Sequence, residues 1–194
     1  MSCFKAGTLI AAKTGEVRIE SLVPGQLVLT RDNGYRPVRW TGVRHLTGRY
    51  LFDNPHLRPV MVLKDAFGPG LPRQRTSMSP NTRLPFAKAT GSLAISRRED
   101  MVAVKQFIDH DTVQQVDMTG ITYIHLMFSR HEVISVNGVW TECFKASDYS
   151  LGTLGNAQRE EVLEVFPNLR RRKDPRPGRI PARGKVSHEF SDLF

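Results

Sequence analysis

The sequence predicts an all-β fold of short hairpins. Apolar and polar residues alternate over residues 17–20, and residues 27–29 form an apolar run, two patterns that are typical of short strands. Compact turn signals separate the strands, and Asp32-Asn33-Gly34 is the strongest of them. A meander of hairpins is therefore expected. The sequence shows no internal repeat with a fixed period of about 20 to 50 residues.

Further strands are expected in order along the chain. The pattern loosens between residues 44 and 59, where Asn54-Pro55 marks a turn. A cluster of glycine and proline at residues 68–72 predicts a surface loop, and residues 101–107 are expected to form a short helix or a strand. The remaining strands are predicted at residues 35–40, 59–63, 112–116 and 121–128.

Length and composition limit the class of protein. A chain of 194 residues can bury the core of one domain and carry an extension. Its two cysteines, Cys3 and Cys143, do not make a disulfide framework. No apolar run approaches the roughly 20 residues of a membrane span, and no signal segment opens the chain. We therefore expect no membrane association and a location in the cytoplasm or in a particle assembled inside a cell.

Most of the positive charge lies near the carboxyl end. Residues 168–185 hold eight basic residues and one acidic residue, which accounts for seven of the nine net positive charges. A charge run of this kind is either a solvated segment or a contact surface for nucleic acid or an acidic partner. The candidate phosphate or partner contacts are Arg170, Arg171, Arg172, Lys173 and Arg176.

Three segments are expected. Residues 1–145 form the β domain, and residues 146–167 form a linker with a short helix that Asn156 caps and Pro167 stops. Residues 168–194 form a basic, proline-containing tail with an apolar end that could dock on the domain or on a neighbour.

Cys3 is the candidate nucleophile, because its thiol lies beside the peptide bond that precedes it. A cysteine thiolate can attack the carbonyl that precedes it and convert that amide into a thioester, an N-to-S acyl shift. This step needs a strained bond, a proton donor for the leaving nitrogen and a polar clamp for the oxyanion. The alternative is that Cys3 is a small buried strand residue.

Three stretches carry a resemblance to a known family. Residues 3–10 (Cys-Phe-Lys-Ala-Gly-Thr-Leu-Ile), residues 15–30 with their Leu-Val-Pro-Gly-Gln-Leu-Val-Leu-Thr ending, and residues 37–42 resemble the opening of the Hedgehog/intein (Hint) family, bacterial branch. Gln26 stands where the family usually has an acidic residue. The resemblance covers about three quarters of the chain. It implies a compact disc of short hairpins with Cys3 at its centre.

A fourth stretch, residues 79–84 (Ser-Pro-Asn-Thr-Arg-Leu), is similar to the family motif Ser-Pro-x-His-Arg. The resemblance implies catalytic positions at Ser79 and at Thr82, where the family has a histidine that protonates the leaving nitrogen. A threonine hydroxyl can donate a hydrogen bond, but it is no general acid near neutral pH. The alternative is that both hydroxyls are satisfied turn groups.

Residues 123–144 are similar to the last strands of the family, and His125 and His131 fall on matching positions. The resemblance implies that one of them assists the Cys3 thiol or the oxyanion; the alternative is a core or turn histidine. Glu142 and Cys143 replace the His-Asn pair that closes splicing inteins, so we expect no splicing. Cys143 is expected to pack as a small apolar side chain.

Other chemistries lack their motifs. The sequence has no P-loop, no dinucleotide glycine fingerprint and no Cys-x-x-Cys or His-Glu-x-x-His pair. His45, His56, His110 and His188 are scattered singly. We therefore expect neither a metal nor another cofactor.

Two functions remain. The first is a degenerate or weakly active scaffold that serves as a structural or binding module in a larger assembly with a protein partner, such as a phage-like particle. The alternative is an autoproteolytic domain that acts on its own upstream peptide, cleaving the Ser2–Cys3 bond once and without splicing. The sequence favours the first, because only Met1 and Ser2 precede Cys3 and cleavage would release a dipeptide.

Overall fold

The computed structural model describes residues 2–86 and 100–143, together with Arg159 and Leu163. Almost all regular structure in this part of the chain is β-strand, so the prediction of an all-β fold is confirmed. The strands are β1 (Phe4–Lys5), β2 (Leu9–Ala12), β3 (Gly15–Arg18), β4 (Leu27–Thr30), β5 (Gly34–Pro37), β6 (Trp40–Thr47), β7 (Val60–Val62), β8 (Thr76–Met78), β9 (Arg83–Phe86), β10 (Asp100–Ala103), β11 (Val113–Gln115), β12 (Gly120–Met127), β13 (Val133–Val136) and β14 (Val139–Glu142).

The first sheet places the start of the chain at its interior. Its strand order is β11-β7-β8-β1-β12-β6, with antiparallel pairing throughout. The two-residue strand β1 lies between β8 and β12, because Phe4 pairs with Met78 on one side and with Ile124 on the other. Phe4 is fully buried, so the hydrophobic core anchors the residue that follows Cys3.

The second sheet covers the other side of the core. Its order is β14-β13-β2-β4-β5, β3 pairs with β2, and β9 and β10 form a separate hairpin. Every residue of β13 is buried. The two sheets and their connections bury one apolar cluster, which includes Phe4, Ile10, Val28, Val60, Leu84, Ile124, Leu126, Ile134 and Val139.

A two-residue turn joins β13 to β14. Asn137 and Gly138 have φ angles of 47° and 90°, in the left-handed region that Asn and Gly tolerate and that a tight hairpin requires. The Asn137 side chain is buried and accepts from the Leu9 amide over 2.9 Å. It also accepts from Gln74 over 3.0 Å and donates to Thr76 over 2.7 Å. The Asn137 side chain therefore links β2 to β8 through hydrogen bonds to Leu9 and Thr76.

A short helix interrupts the region where the sequence pattern loosens. Helix α1 (Gly48–Asp53) begins after Thr47, whose hydroxyl accepts from the Tyr50 amide over 3.2 Å. Six residues are too few to show helical periodicity, so the sequence indicated only a turn here. Residues 101–107 contain both of the predicted alternatives, because β10 ends at Ala103 and a 3-10 turn covers Val104–Phe107.

Most of the carboxyl-terminal segment lies outside the described residues. Arg159 and Leu163 are helical, and Leu163 is buried, within the stretch predicted as a short helix. The basic tail lies outside the described residues, including Arg170, Arg171, Arg172, Lys173 and Arg176. None of the helices in the described part of the chain has the length and apolarity that a membrane span requires.

Candidate active site

Strand register places Cys3 between two of the predicted site residues. In the β1–β12 pairing Phe4 lies opposite Ile124, so the next position sets Cys3 opposite His125. In the β1–β8 pairing Phe4 lies opposite Met78, so the next position sets Cys3 opposite Ser79. The Ser79 amide donates to the Cys3 carbonyl over 3.0 Å, as this register requires. Three segments distant in sequence therefore meet at one residue.

Two hydroxyls lie at the peptide nitrogen of Cys3. Its N–H donates to the Ser79 hydroxyl over 3.2 Å and to the Thr82 hydroxyl over 3.3 Å. The two hydroxyl oxygens are 2.9 Å apart, and Thr82 also donates to the Cys3 carbonyl over 3.3 Å. Both side chains are buried. The nitrogen of the Ser2–Cys3 bond is thus held by two neutral oxygens.

The turn between β8 and β9 sets these hydroxyls in place. The Thr82 amide donates to the Ser79 carbonyl over 2.9 Å, which closes the turn and brings both side chains to the same side. The segment after β10 secures it, because the Val104 amide donates to the Thr82 carbonyl over 2.8 Å and the Lys105 amide donates to the Pro80 carbonyl over 3.2 Å. The Ser-Pro-Asn-Thr motif is therefore a rigid support for the Cys3 amide.

The Cys3 thiol is buried and protonated near neutral pH. Burial raises the pKa of the Cys3 thiol to about 12, because an apolar surrounding disfavours the thiolate. A hydrogen bond from Ser79 and the positive charges of the amino terminus and Arg44 lower this pKa, but by less. Nucleophilic attack at neutral pH would draw on a small thiolate fraction.

His125 lies opposite Cys3 in the β1–β12 register, and its ring is buried. Burial lowers the pKa of His125 to about 4, so the imidazole is neutral at neutral pH. A hydrogen bond with the Ser2 backbone raises this pKa, though by less than burial lowers it. A hydrogen bond that the ring donates favours imidazolium, so this contribution has the sign of donation toward the Ser2 backbone. The neutral His125 ring thus lies beside the Ser2–Cys3 peptide bond.

A cavity of about 50 Å³ opens beside these groups. The Tyr123 side chain forms one wall, and its hydroxyl donates to the Leu57 carbonyl over 3.1 Å. Burial, and then the nearby Cys3, raise the pKa of Tyr123, so it stays neutral. The lining residues are Cys3, Arg44, Leu46, His56, Leu57, Ser79, Pro80, Asn81, Tyr123 and His125.

His131 lies in a different environment. Its Nε2 atom is 2.7 Å from a carboxylate oxygen of Glu142 on β14, and His131 is not among the residues that line the cavity beside Cys3. The Arg83 guanidinium lies 4.0 Å from the second oxygen of Glu142. Cys143 is buried in the apolar cluster, as expected for a small packing residue. Of the two candidate histidines, the structure brings His125 to Cys3 and sets His131 in a surface hydrogen bond with Glu142.

Sequence reasoning did not single out Arg44 and Tyr123. Both line the cavity, and they pair with each other across β6 and β12. Arg44 lies in the segment where the strand pattern loosens, and its neighbour Val43 is exposed, so no local signal separates it from a solvated arginine. Within residues 2–86 and 100–143, no cluster of three or more His, Cys, Asp or Glu side chains is arranged to hold a metal ion.

Comparison with known proteins places this geometry in context. Residues 2–148 match the model of a protein family described as the Hint domain. A search of the curated proteins finds no match.

Among solved structures, a bacterial intein-like domain from Clostridium thermocellum is 13% identical, with 74% of this chain and 99% of that chain covered and a TM-score of 0.42. A DnaB intein from Synechocystis sp. PCC 6803 is 13% identical, with 75% and 100% covered and a TM-score of 0.44. The gp41-1 intein is 13% identical, with 73% and 98% covered and a TM-score of 0.41.

Proposed function

The chain belongs to the Hint domain family, and on that premise we propose that it is a self-processing domain that cleaves its own Ser2–Cys3 bond once, through a thioester and without splicing. One observation carries the proposal. The hydroxyls of Ser79 and Thr82 hold the nitrogen of this bond, and the neutral ring of His125 lies opposite Cys3 beside the Ser2 backbone. Any buried peptide bond needs hydrogen-bond partners, but here the partners of the nitrogen are side-chain hydroxyls and an imidazole lies beside the bond, which are groups that can also take part in acyl transfer.

The proposed step balances without a second reactant. The Cys3 sulfur attacks the Ser2 carbonyl carbon, and His125 donates a hydrogen bond to the oxygen as it gains negative charge. The carbon–nitrogen bond then breaks, the carbonyl becomes a thioester on Cys3, and the proton that the thiol lost ends on the Cys3 amine. Water, a thiol or an alcohol resolves the thioester and releases the upstream peptide.

The reaction is expected to be slow. The leaving nitrogen needs a proton donor, and Thr82 stands where the family has a histidine. A hydroxyl does not titrate near neutral pH, and the loss of a positioned acid costs a factor of about 10² to 10⁴ in rate. The high pKa of the Cys3 thiol lowers the rate further, because little thiolate is present.

Splicing is not expected. Glu142 and Cys143 occupy the place of the His-Asn pair, so no asparagine side chain is available there to cyclise. Cys143 is fully packed, and its amide donates to the Glu132 carbonyl over 3.0 Å. The proposed outcome is cleavage at the amino-terminal side of Cys3 alone.

A reporter fusion tests the proposal. A reporter protein is joined ahead of Ser2, and cleavage by excess dithiothreitol is followed by intact mass. We expect slow release of a reporter that ends at Ser2, no release from Cys3→Ala, and normal release from the matched control Cys143→Ala. Equal release from the native and Cys3→Ala forms would overturn the proposal.

A second candidate rests on the protonation states of the same groups. With a neutral buried thiol and two hydroxyls in place of an acid, the domain could be a degenerate scaffold that serves as a structural or binding module in a larger assembly, such as a phage-like particle. Its partners would be another protein or, through residues 168–185, nucleic acid. A fusion that stays intact even with Thr82→His, in a folded protein, would favour this candidate.

A further inference from the structure

The cavity beside Cys3 carries one fixed positive charge. Arg44 is a permanent cation, whereas the Cys3 thiol, Tyr123 and His125 are neutral at neutral pH. The described lining residues include no carboxylate. His56 also lines the cavity and is exposed, so it lies at the open side. A small negative group that enters this space would meet a cation and no opposing acid.

The structure holds Arg44 in place. Arg44 lies on β6 opposite Tyr123 on β12, and its side chain is partly buried. Its guanidinium donates to the Tyr50 hydroxyl over 3.3 Å and stacks over the Tyr50 ring, with 5.8 Å between the guanidinium carbon and the ring centroid. Helix α1 thus supplies a hydrogen-bond and stacking partner for the guanidinium beside the cavity.

We infer that this cavity is the acceptor subsite of the reaction, and that Arg44 makes it selective for small thiols that carry a negative charge, such as a thiol with an adjacent carboxylate. This inference rests on the proposed function. The size of the cavity, about 50 Å³, limits the acceptor to a few heavy atoms. The Arg44 guanidinium would pair with the carboxylate while the acceptor sulfur points at the thioester.

The transfer step is a thioester exchange. The acceptor thiolate attacks the Ser2 carbonyl carbon, and the bond from that carbon to the Cys3 sulfur breaks. The upstream peptide leaves as a thioester of the acceptor. Cys3 leaves as a thiolate, which takes up the proton that the acceptor thiol released. No oxidant or reductant is needed.

The charge of the subsite can be measured without any cleavage. The full chain is alkylated with iodoacetate and, separately, with iodoacetamide, two reagents of similar size that differ in charge. Modification of the peptide that contains Cys3 is followed by mass spectrometry. The ratio of the two rates cancels the thiolate fraction and the accessibility of the thiol, so it reports the electrostatic preference of the cavity.

We expect Arg44→Gln to lower the iodoacetate-to-iodoacetamide ratio about fivefold at low salt, since a nearby unit charge is worth on the order of 1 kcal/mol in a partly solvated site. Arg44→Lys should retain most of the native ratio, because it keeps the charge. The matched control is Arg49→Gln, which removes an exposed charge on helix α1, outside the cavity. Tyr50→Phe, which removes one hydrogen bond only, should lower the ratio by less. An iodoacetate-to-iodoacetamide ratio that is equal in the native, Arg44→Gln and Arg49→Gln proteins would overturn the proposed selectivity for negatively charged thiols.

The acceptor role is then tested in the reporter fusion. Cleavage rates with mercaptoacetate and with cysteamine, an anionic and a cationic thiol of similar size, are compared in the native and Arg44→Gln forms. We expect the mercaptoacetate-to-cysteamine ratio to fall at least fivefold in Arg44→Gln, because the two thiols differ by two charges. A fusion that no thiol cleaves would overturn the acceptor role together with the proposed function. A fusion that is cleaved with the same mercaptoacetate-to-cysteamine ratio in both forms would overturn only the proposed selectivity for negatively charged thiols.

Discussion

The Thr82 hydroxyl contacts both backbone groups of Cys3, because it accepts from the Cys3 amide over 3.3 Å and donates to the Cys3 carbonyl over 3.3 Å. The acceptors within reach of its single proton are both oxygens, the Cys3 carbonyl and, at 2.9 Å, the Ser79 hydroxyl. In an N-to-S acyl shift the nitrogen must gain a proton as the bond to the Ser2 carbonyl breaks. The contact positions the bond but supplies no acid.

The first prediction replaces this hydroxyl with an acid. Thr82→His in the reporter fusion should raise thiol-dependent cleavage by a factor of about 10² to 10⁴, the contribution of a positioned general acid. The measurement is the rate of reporter release under single-turnover conditions.

Thr82 is fully buried, so the larger ring must be shown to fit. The melting temperature of Thr82→His should stay close to that of the matched variant Thr82→Val, which removes the hydroxyl without adding an acid. No gain in rate from a folded Thr82→His protein would show that the geometry around Cys3 does not support the chemistry.

The second prediction concerns His125 and acid stability. Its folded pKa of about 4 lies below its ordinary value of 6.5, so the unfolded chain binds a proton before the folded chain does as the pH falls. The stability that a neutral His125 contributes is present above pH 6.5 and is lost as the pH falls toward 4. The loss should reach about 3 kcal/mol, from about 1.4 kcal/mol per pH unit.

The measurement is urea unfolding at several pH values between 7 and 4. The matched variant His125→Gln should lack this part of the pH dependence, so the difference between the two curves isolates one group. If the free energy of unfolding changed with pH in the same way in the native and His125→Gln proteins, His125 would be solvated and not in the buried position opposite Cys3.

Part of the fold and of the candidate site could be predicted from the sequence, because those features depend on short-range signals. The hairpin turn at Asp32-Asn33-Gly34 and the Ser79-to-Thr82 motif are each contained within a few residues. These signals indicated the strands, the fold class and the candidate hydroxyls.

The rest depends on contacts between distant segments. His125 and His131 match the family pattern equally well, and only the pairing of β1 with β12 brings His125 to Cys3. The loosened segment of the sequence hides Arg44, whose role depends on Tyr50 and Tyr123. Register between strands that lie more than a hundred residues apart leaves no periodic signal in a single sequence.

The third prediction concerns the Asn137 turn. Asn137→Ala should destabilise the domain by about 2–4 kcal/mol, because it leaves the Leu9 amide and the Thr76 hydroxyl without the partner that the buried side chain provides. Chemical unfolding measures the loss. Asn137→Gly keeps the left-handed backbone at low cost, so it separates the side-chain contribution from backbone strain.

Asn54→Ala is the matched control, because its amide donates in an exposed hydrogen bond to the Tyr50 carbonyl. It should cost well under 1 kcal/mol. Equal losses at Asn137 and Asn54 would contradict a special role for the turn residue.

The fourth prediction concerns residues 168–185. If their basic side chains contact phosphates, binding to duplex DNA should weaken with salt, with a log–log slope of about −0.9 for each phosphate neutralised. Truncation after Pro167 should abolish the binding. Binding that does not change with salt, or none to any nucleic acid, would leave these residues as a connector to a protein partner.

The most direct test of the central claim is to trap the thioester at Ser2. Hydroxylamine attacks a thioester and leaves ordinary amides intact, so the reporter fusion is incubated with hydroxylamine and its fragments are identified by mass. We predict one reporter fragment that ends in a Ser2 hydroxamate and a second fragment that begins at Cys3. The two fragments should form faster in Thr82→His and should not form in Cys3→Ala. An intact fusion in both the native and the folded Thr82→His forms would contradict the central claim.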